Sequence, residues 1–284
     1  MPASENPTGP ATVTTTVNFV VPPLDGARAY IKIIPDPVTG EHEKNYSSEK
    51  HAVEMENVRG TETQYSLDKV GFQWIKSPVR HTSFKDEDEV KKEYYPESVD
   101  LIKKVTGASE VVIFDHTFRR NNPVQSGETK QTRPPVTQAH VDQTTKASIA
   151  RVHRHIPADE VPALLKKRFQ IINVWRPIQV TALEWPLALC DYRSVDVEND
   201  TLPVALVFPD REGETLEVKY NPNHKWKYLR GMTPEEAVIF KCFDSVQDGS
   251  VAVFAAHTAF EDPSTPADAP VRQSIELRAL VFYD

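Results

Sequence analysis

Cysteine is nearly absent: the 284 residues contain two, Cys190 and Cys242, in the mixed segments LALCDY and IFKCFD. Neither belongs to a metal-binding spacing, and both read as free, buried thiols in a reducing compartment. Long apolar runs are missing too, so no segment reads as a membrane span. The first 16 residues have no basic start and no apolar stretch. They therefore do not read as a secretory signal, and their Pro, Thr and Ser content reads as a flexible leader. Basic residues are outnumbered, 33 Lys and Arg against 41 Asp and Glu, for a net charge of -8. That balance argues against a nucleic-acid surface built on bulk charge. No internal repeat and no dividing linker stands out. The expectation is a cytoplasmic protein without a membrane or nucleic-acid partner. Its 39% hydrophobic content suffices for a substantial core in one domain over residues 17–284.

Patterning along the chain mixes both element types. Residues 17–34 read as extended segments broken by Pro22-Pro23, and residues 66–75 as a turn into a strand. Residues 86–105 read as two short helices, the second carrying Val99, Ile102 and Val105 at helical spacing. EVVIFD at 110–115 is β-branched and reads as a strand. A polar loop, SGETKQTRPP, follows at 126–135. Residues 144–155 and 158–169 read as helices, IINVWRP as a short buried strand, and ALVFP and LEVKY as strands about a turn. Thr233-Pro234-Glu235-Glu236 has the form of a capping box, which predicts a helix over EEAVIFKCF. Two strands are expected at the end, SVAVFAAHTAF and VRQSIELRALVF. With strands gathered in the second half, the expected class is α+β with a jelly-roll, cupin-like core flanked by helices.

His140-Val141-Asp142 carries the chemistry. Residues i and i+2 of a strand face one side, so this imidazole and this carboxylate can point together into a barrel. His257, 115 residues beyond Asp142, joins them only if a long-range sheet brings its strand alongside. Two imidazoles and one carboxylate can hold Fe(II) on one face of its octahedron, leaving three positions for a co-substrate and O2. On the last strand Arg272, Ser274, Glu276 and Arg278 share a face, while Val271, Ile275 and Leu277 share the other. An arginine fork with a hydroxyl two residues on suits the distal carboxylate of a 2-oxo acid. Other histidines compete less well. His153 and His155 fall in a predicted helix, where i and i+2 diverge. His116 follows a strand and either borders the pocket or is structural. His224 sits beside aromatics in a loop.

In GFQWIKSP, FDHTFRR, AHVDQT, NVWRP, PLALCD, HKWKYLRGMTPEEAVIFKCFDS and AAHTAFEDP followed by RQSIELRALVF, the chain resembles the Fe(II)/2-oxoglutarate-dependent oxygenases. It is most similar to the fungal AsaB-type hydroxylase/desaturase family of secondary metabolism. These stretches run from about residue 66 to the end. The resemblance implies a double-stranded β-helix with iron on His140, Asp142 and His257, and 2-oxoglutarate on Arg272 and Ser274. Asn173 and Arg176 of NVWRP are candidates for the co-substrate site, or for a structurally paired strand end. His116, Arg119, Trp226 and Tyr228 are candidates for contact with a small-molecule substrate. The implied reaction hydroxylates or desaturates an unactivated C–H bond, converting 2-oxoglutarate and O2 to succinate and CO2. Two rival classes remain: a cupin-like metal dioxygenase without a 2-oxo acid, and a non-catalytic jelly-roll partner protein.

Overall fold

A computed structural model describes residues 9–120 and 134–284. Among the described residues fourteen strands, numbered in chain order, form two sheets. The larger, mixed sheet runs β1 (Thr12–Val21), β3 (Ser47–Asn57), β11 (Trp226–Tyr228), β8 (Leu187–Cys190), β13 (His257–Ala259), β6 (His140–Val141), β10 (Glu212–Val218), β9 (Thr201–Val207) and β2 (Ala29–Lys32). An isolated parallel bridge, Asn18 to Gln138, brings β1 back beside the residues leading into β6, so this sheet curls strongly. Its other face meets the second, antiparallel sheet: β4 (Phe72–Lys76), β12 (Glu236–Asp244), β7 (Phe169–Pro177), β14 (Gln273–Phe282) and β5 (Glu110–Arg120). Two facing sheets of this kind are the expected jelly-roll.

Three apolar clusters hold these layers. Trp175, Val238 and Phe240 of the second sheet pack against Leu187 and Leu189 of the first. On the second sheet's outer face, Ile172, Val174, Ile239, Ile275 and Leu277 meet Val90, Tyr94 and Ile102 of a helical stretch over residues 87–106. Phe19, Trp226, Tyr228 and Phe260 fill the curl of the first sheet. Every residue of β7 is buried. Covering on both faces explains why burial does not alternate along it, as it would in a half-exposed strand.

Several sequence expectations meet corrections. EEAVIFKCF is the strand β12, not a helix, paired on one side with β4 and on the other with β7. The capping-box bond still forms, with the Thr233 N–H donating to Glu236 Oε2 at 2.9 Å. It closes a turn rather than opening a helix, because Val238, Ile239, Phe240 and Phe243 are β-formers in a fully covered position. Burial overrides the local signal. The helix expected over 158–169 shrinks to Val161–Leu164, and Phe169 already begins β7. Of SVAVFAAHTAF only His257–Ala259 is regular strand. The preceding residues bond to several elements, Ala252 N–H to Asp68 O and Ala255 N–H to Lys241 O. Thr12–Thr16, expected in the leader, begin β1; residues 1–8 lie outside the described residues. So does the expected polar loop at 126–135, apart from Pro134 and Pro135. The helix at 144–155 forms as Thr145–His155, with Thr144 Oγ1 accepting from Ala147 N–H.

One polar cluster braces the approach to β13. The fully buried Lys241 ammonium donates to Asp244 Oδ2 at 2.7 Å, Asp68 Oδ1 at 2.7 Å and Ala252 O at 2.9 Å. Arg168 and Gln170 add donors to the same Asp244 oxygen. Burial opposes ionisation of Asp244, yet Arg168 and Lys241 hold its carboxyl below the ordinary 3.8. Removing one partner strands buried charge. Asp244→Ala is expected to cost about 3 kcal/mol or more, read as a lowered denaturant midpoint. The carboxylate's contribution is complete above pH 3.8 and is lost as pH falls through the depressed folded value. The gap between wild type and Asp244→Ala should therefore narrow in acid.

Candidate iron and 2-oxo acid site

Cross-strand pairing closes the long gap in sequence: His257 of β13 lies directly opposite His140 of β6. Their ring centroids are 4.4 Å apart. Each ring is aimed by its own chain. His140 Nδ1 lies 2.8 Å from Gln138 O and His257 Nδ1 lies 3.1 Å from Ala255 O. With Nδ1–H donating to a carbonyl, each Nε2 keeps its lone pair for a common centre. Asp142 Oδ1 sits 3.5 Å from His140 Nε2 and 3.9 Å from His257 Nε2. One ligand atom from each residue lies within 4.8 Å of the others, so the three can converge on one ion.

Electrostatics favour the protonation states that a metal needs at His257 and Asp142, whereas at His140 burial is outweighed by Asp142, which raises the imidazole above its ordinary value. Burial, with His140 adding to it, pushes the His257 imidazole down to about 3, so it is neutral at ordinary pH. Burial works against ionising Asp142, but the Arg278 guanidinium and both imidazoles hold it well below the usual carboxylate range.

Beside this cluster, Arg272 on the approach to β14 is 2% exposed and Ser274 is 1% exposed. The Arg272 guanidinium donates through Nη1 to Trp185 O and lies over the Trp175 ring, 5.7 Å from its centroid. Its Nε and the Ser274 hydroxyl are buried without hydrogen-bond partners. Burial first, and then Arg119, pushes Arg272 down to about 9. A buried cation so short of acceptors gains by taking an anion, and a carboxylate supplies the missing lone pairs. The donor set therefore fits a 2-oxo acid. Arg119, His140, Trp175, His257, Arg272 and Glu276 line one cleft.

The remaining candidates divide by strand face. Arg119 is in register with Ser274 and belongs to this cleft. Asn173 reaches it too, but as a partner of Asp142: its Nδ2 donates to Asp142 Oδ2 at 2.9 Å. Arg176 does not. It projects from the opposite face of β7 and donates to Tyr94 Oη, Ser77 O and Pro234 O, a structural role. His116 is in register with Leu277 on the helix-covered face, where Nδ1 lies 2.7 Å from Tyr95 Oη. Trp226 and Tyr228 point into the curl of the first sheet with Phe19 and Phe260, away from the histidines. His224 packs there as well and pairs with Asp200. Sequence reasoning set Arg278 on the right face without giving it a role. Its Nε donates to Asp142 Oδ2 at 2.8 Å.

Two imidazoles, a carboxylate and an anion-seeking guanidinium in one cleft define an iron- and 2-oxo-acid-dependent oxygenase. Comparison with known proteins narrows this further. Residues 17–282 match a family described as an oxidoreductase/YMDC permease-like domain. Among the described residues no helix is long and apolar enough to cross a membrane. The chain is 34% identical over 294 residues to hydroxylase/desaturase efuI of Hormonema carpetanum, covering 96% of each. It is 36% identical over 158 residues to hydroxylase/desaturase asaB of Aspergillus flavus, covering 51% of this chain and 68% of that one. Its structure matches that of the iron and alpha-ketoglutarate-dependent endoperoxidase NvfI. The TM-score is 0.85 and the identity 28%, with 96% of this chain and 98% of that one covered. The chain thus belongs to this oxidoreductase family, the Fe(II)/2-oxoglutarate-dependent hydroxylases and desaturases. A dioxygenase without a 2-oxo acid and a non-catalytic partner protein are set aside.

The site also contains a thiol. Cys242 Sγ lies 3.8 Å from Asp142 Oδ2, and burial, reinforced by Asp142 and Glu276, raises it well above its ordinary range. Burial pushes Cys190 up to about 12. Both stay protonated at pH 8, where reactivity needs the thiolate. The folded protein is expected to resist alkylation at that pH and to expose two thiols on denaturation. A fast-reacting thiol in the native protein would contradict this burial.

Proposed function

We propose that His140, Asp142 and His257 hold the iron, that Arg272 and Ser274 anchor the distal carboxylate of 2-oxoglutarate, and that the enzyme oxidises an unactivated C–H bond of a small secondary metabolite. The observation that carries this reading is the buried, unpartnered pair Arg272 Nε and Ser274 Oγ beside the histidine–aspartate cluster. The curated relatives named hydroxylase/desaturase support hydroxylation or desaturation as the outcome.

When bound, iron and 2-oxoglutarate with O2 supply the oxidation, giving succinate and CO2. The protein's own residues supply placement. Gln138 O and Ala255 O fix the two rings, and Trp175 forms a wall under the Arg272 guanidinium. Arg119, at the same cleft, is the residue we assign to the substrate. Residues 17–284 work as one oxygenase domain. Two buried free thiols support a cytoplasmic setting.

Adding Fe(II) and then 2-oxoglutarate to metal-free protein without oxygen is expected to produce a visible charge-transfer absorption. A well-folded protein with no such band sinks the reading. His140→Ala is expected to abolish succinate formation. Arg272→Ala removes charge-assisted bonds worth about 1.5–3 kcal/mol, so the 2-oxoglutarate requirement should rise about 10- to 100-fold. An unchanged requirement removes Arg272 from the site.

A further inference from the structure

We propose that Arg278, together with Asn173, is a positioning residue that restricts Asp142 to one iron-ligating oxygen. This rests on the iron reading above. The two oxygens of Asp142 are treated differently. Oδ2 accepts from Arg278 Nε at 2.8 Å and from Asn173 Nδ2 at 2.9 Å. Oδ1 is the oxygen that faces both imidazoles, 3.5 Å and 3.9 Å from their Nε2 atoms. These two nitrogen donors, with the Cys242 thiol 3.8 Å from the same oxygen, leave the other oxygen as the lone-pair source facing the metal position.

The fork that imposes this is itself fixed. Arg278 Nη1 donates to Thr117 Oγ1 at 3.0 Å, and Asp115 Oδ2 lies 3.4 Å away. Nη2 donates to Glu276 Oε1 at 2.5 Å. Both Nη nitrogens are engaged by groups on β5 and β14, so the guanidinium cannot swing aside without losing several bonds. Glu276 also accepts from Asn173 Nδ2 at 3.3 Å, which joins the two donors of Oδ2 to one carboxylate.

The consequence concerns coordination number. Three protein ligands leave three positions on an octahedral iron. A carboxylate binding through both oxygens would take one of them. Holding Oδ2 in hydrogen bonds keeps Asp142 monodentate and preserves the position. The fork geometry matters as well as the charge, because lysine offers a point charge without parallel donors.

The test uses Arg278→Met and Arg278→Lys, with melting curves to establish folding. Affinity for Fe(II) is measured by anaerobic titration, together with the visible band of the Fe(II)–2-oxoglutarate complex. Loss of an outer hydrogen bond to a metal ligand lowers affinity about 10- to 100-fold. Arg278→Met is expected to fall in that range and to shift or weaken the band. Arg278→Lys should recover part of the affinity while its band stays displaced. A folded Arg278→Met with wild-type affinity and an unmoved band overturns the proposal. If the methionine variant does not fold, the lysine variant decides: wild-type affinity and band there overturn it equally. Wild-type protein without a band overturns the iron reading itself, and this proposal with it. A normal wild-type band that the variants leave unmoved overturns the positioning role alone.

Discussion

The pairing of β13 against β6 is the contact on which the site depends. It is short, with His257 and His140 as the matched residues, yet it is the step that makes two distant chain segments one chemical group. Much of the surrounding structure serves to hold it. Ala259 N–H reaches back to Val136 O, and Leu189 of β8 flanks His257 on the other side. The polar knot of Lys241, Asp244 and Asp68 fixes the irregular residues before His257 by capturing Ala252 O. A three-residue strand has little stability of its own. Its precision is borrowed from the sheet around it and from that buried ammonium.

Charge is arranged around this pairing in a graded way. Arg278, Glu276 and Asp142 form a linked set in which each ion has an opposite neighbour. Arg272 lies just before the same strand, and its guanidinium is served by a carbonyl rather than a carboxylate. One arginine is thus saturated and the other is left with bonding capacity. In a buried setting that difference separates a structural cation from a binding one, since unmet donors there are costly until something meets them.

The sequence made the chemistry more legible than the scaffold. His-x-Asp and Arg-x-Ser are i, i+2 patterns, and strand alternation puts each pair on one side wherever the strand lies. The same alternation misled when the face was unknown. Arg176 sits three residues beyond Asn173 and therefore projects from the other face. His116 differs from Arg119 in the same way. Trp226 and Tyr228 lie on a strand whose inward face could not be read locally, because the curl that buries them is made by β1 and β3, far away in sequence. EEAVIFKCF failed for a related reason. Its capping residues are real and bonded, but the choice between helix and strand was made by neighbours on both sides.

The row Arg272, Ser274, Glu276 and Arg278 has a consequence for how such an enzyme can change. The proposed co-substrate anchor and carboxylate clamp are written along one stretch of chain with a period of two. Inserting or deleting a single residue within it would turn every downstream member toward the helix-covered face. Loops around the cleft can vary in length and composition without that penalty. New substrates are therefore open to this scaffold through its rims, whereas the reading frame of its last strand is closed to revision.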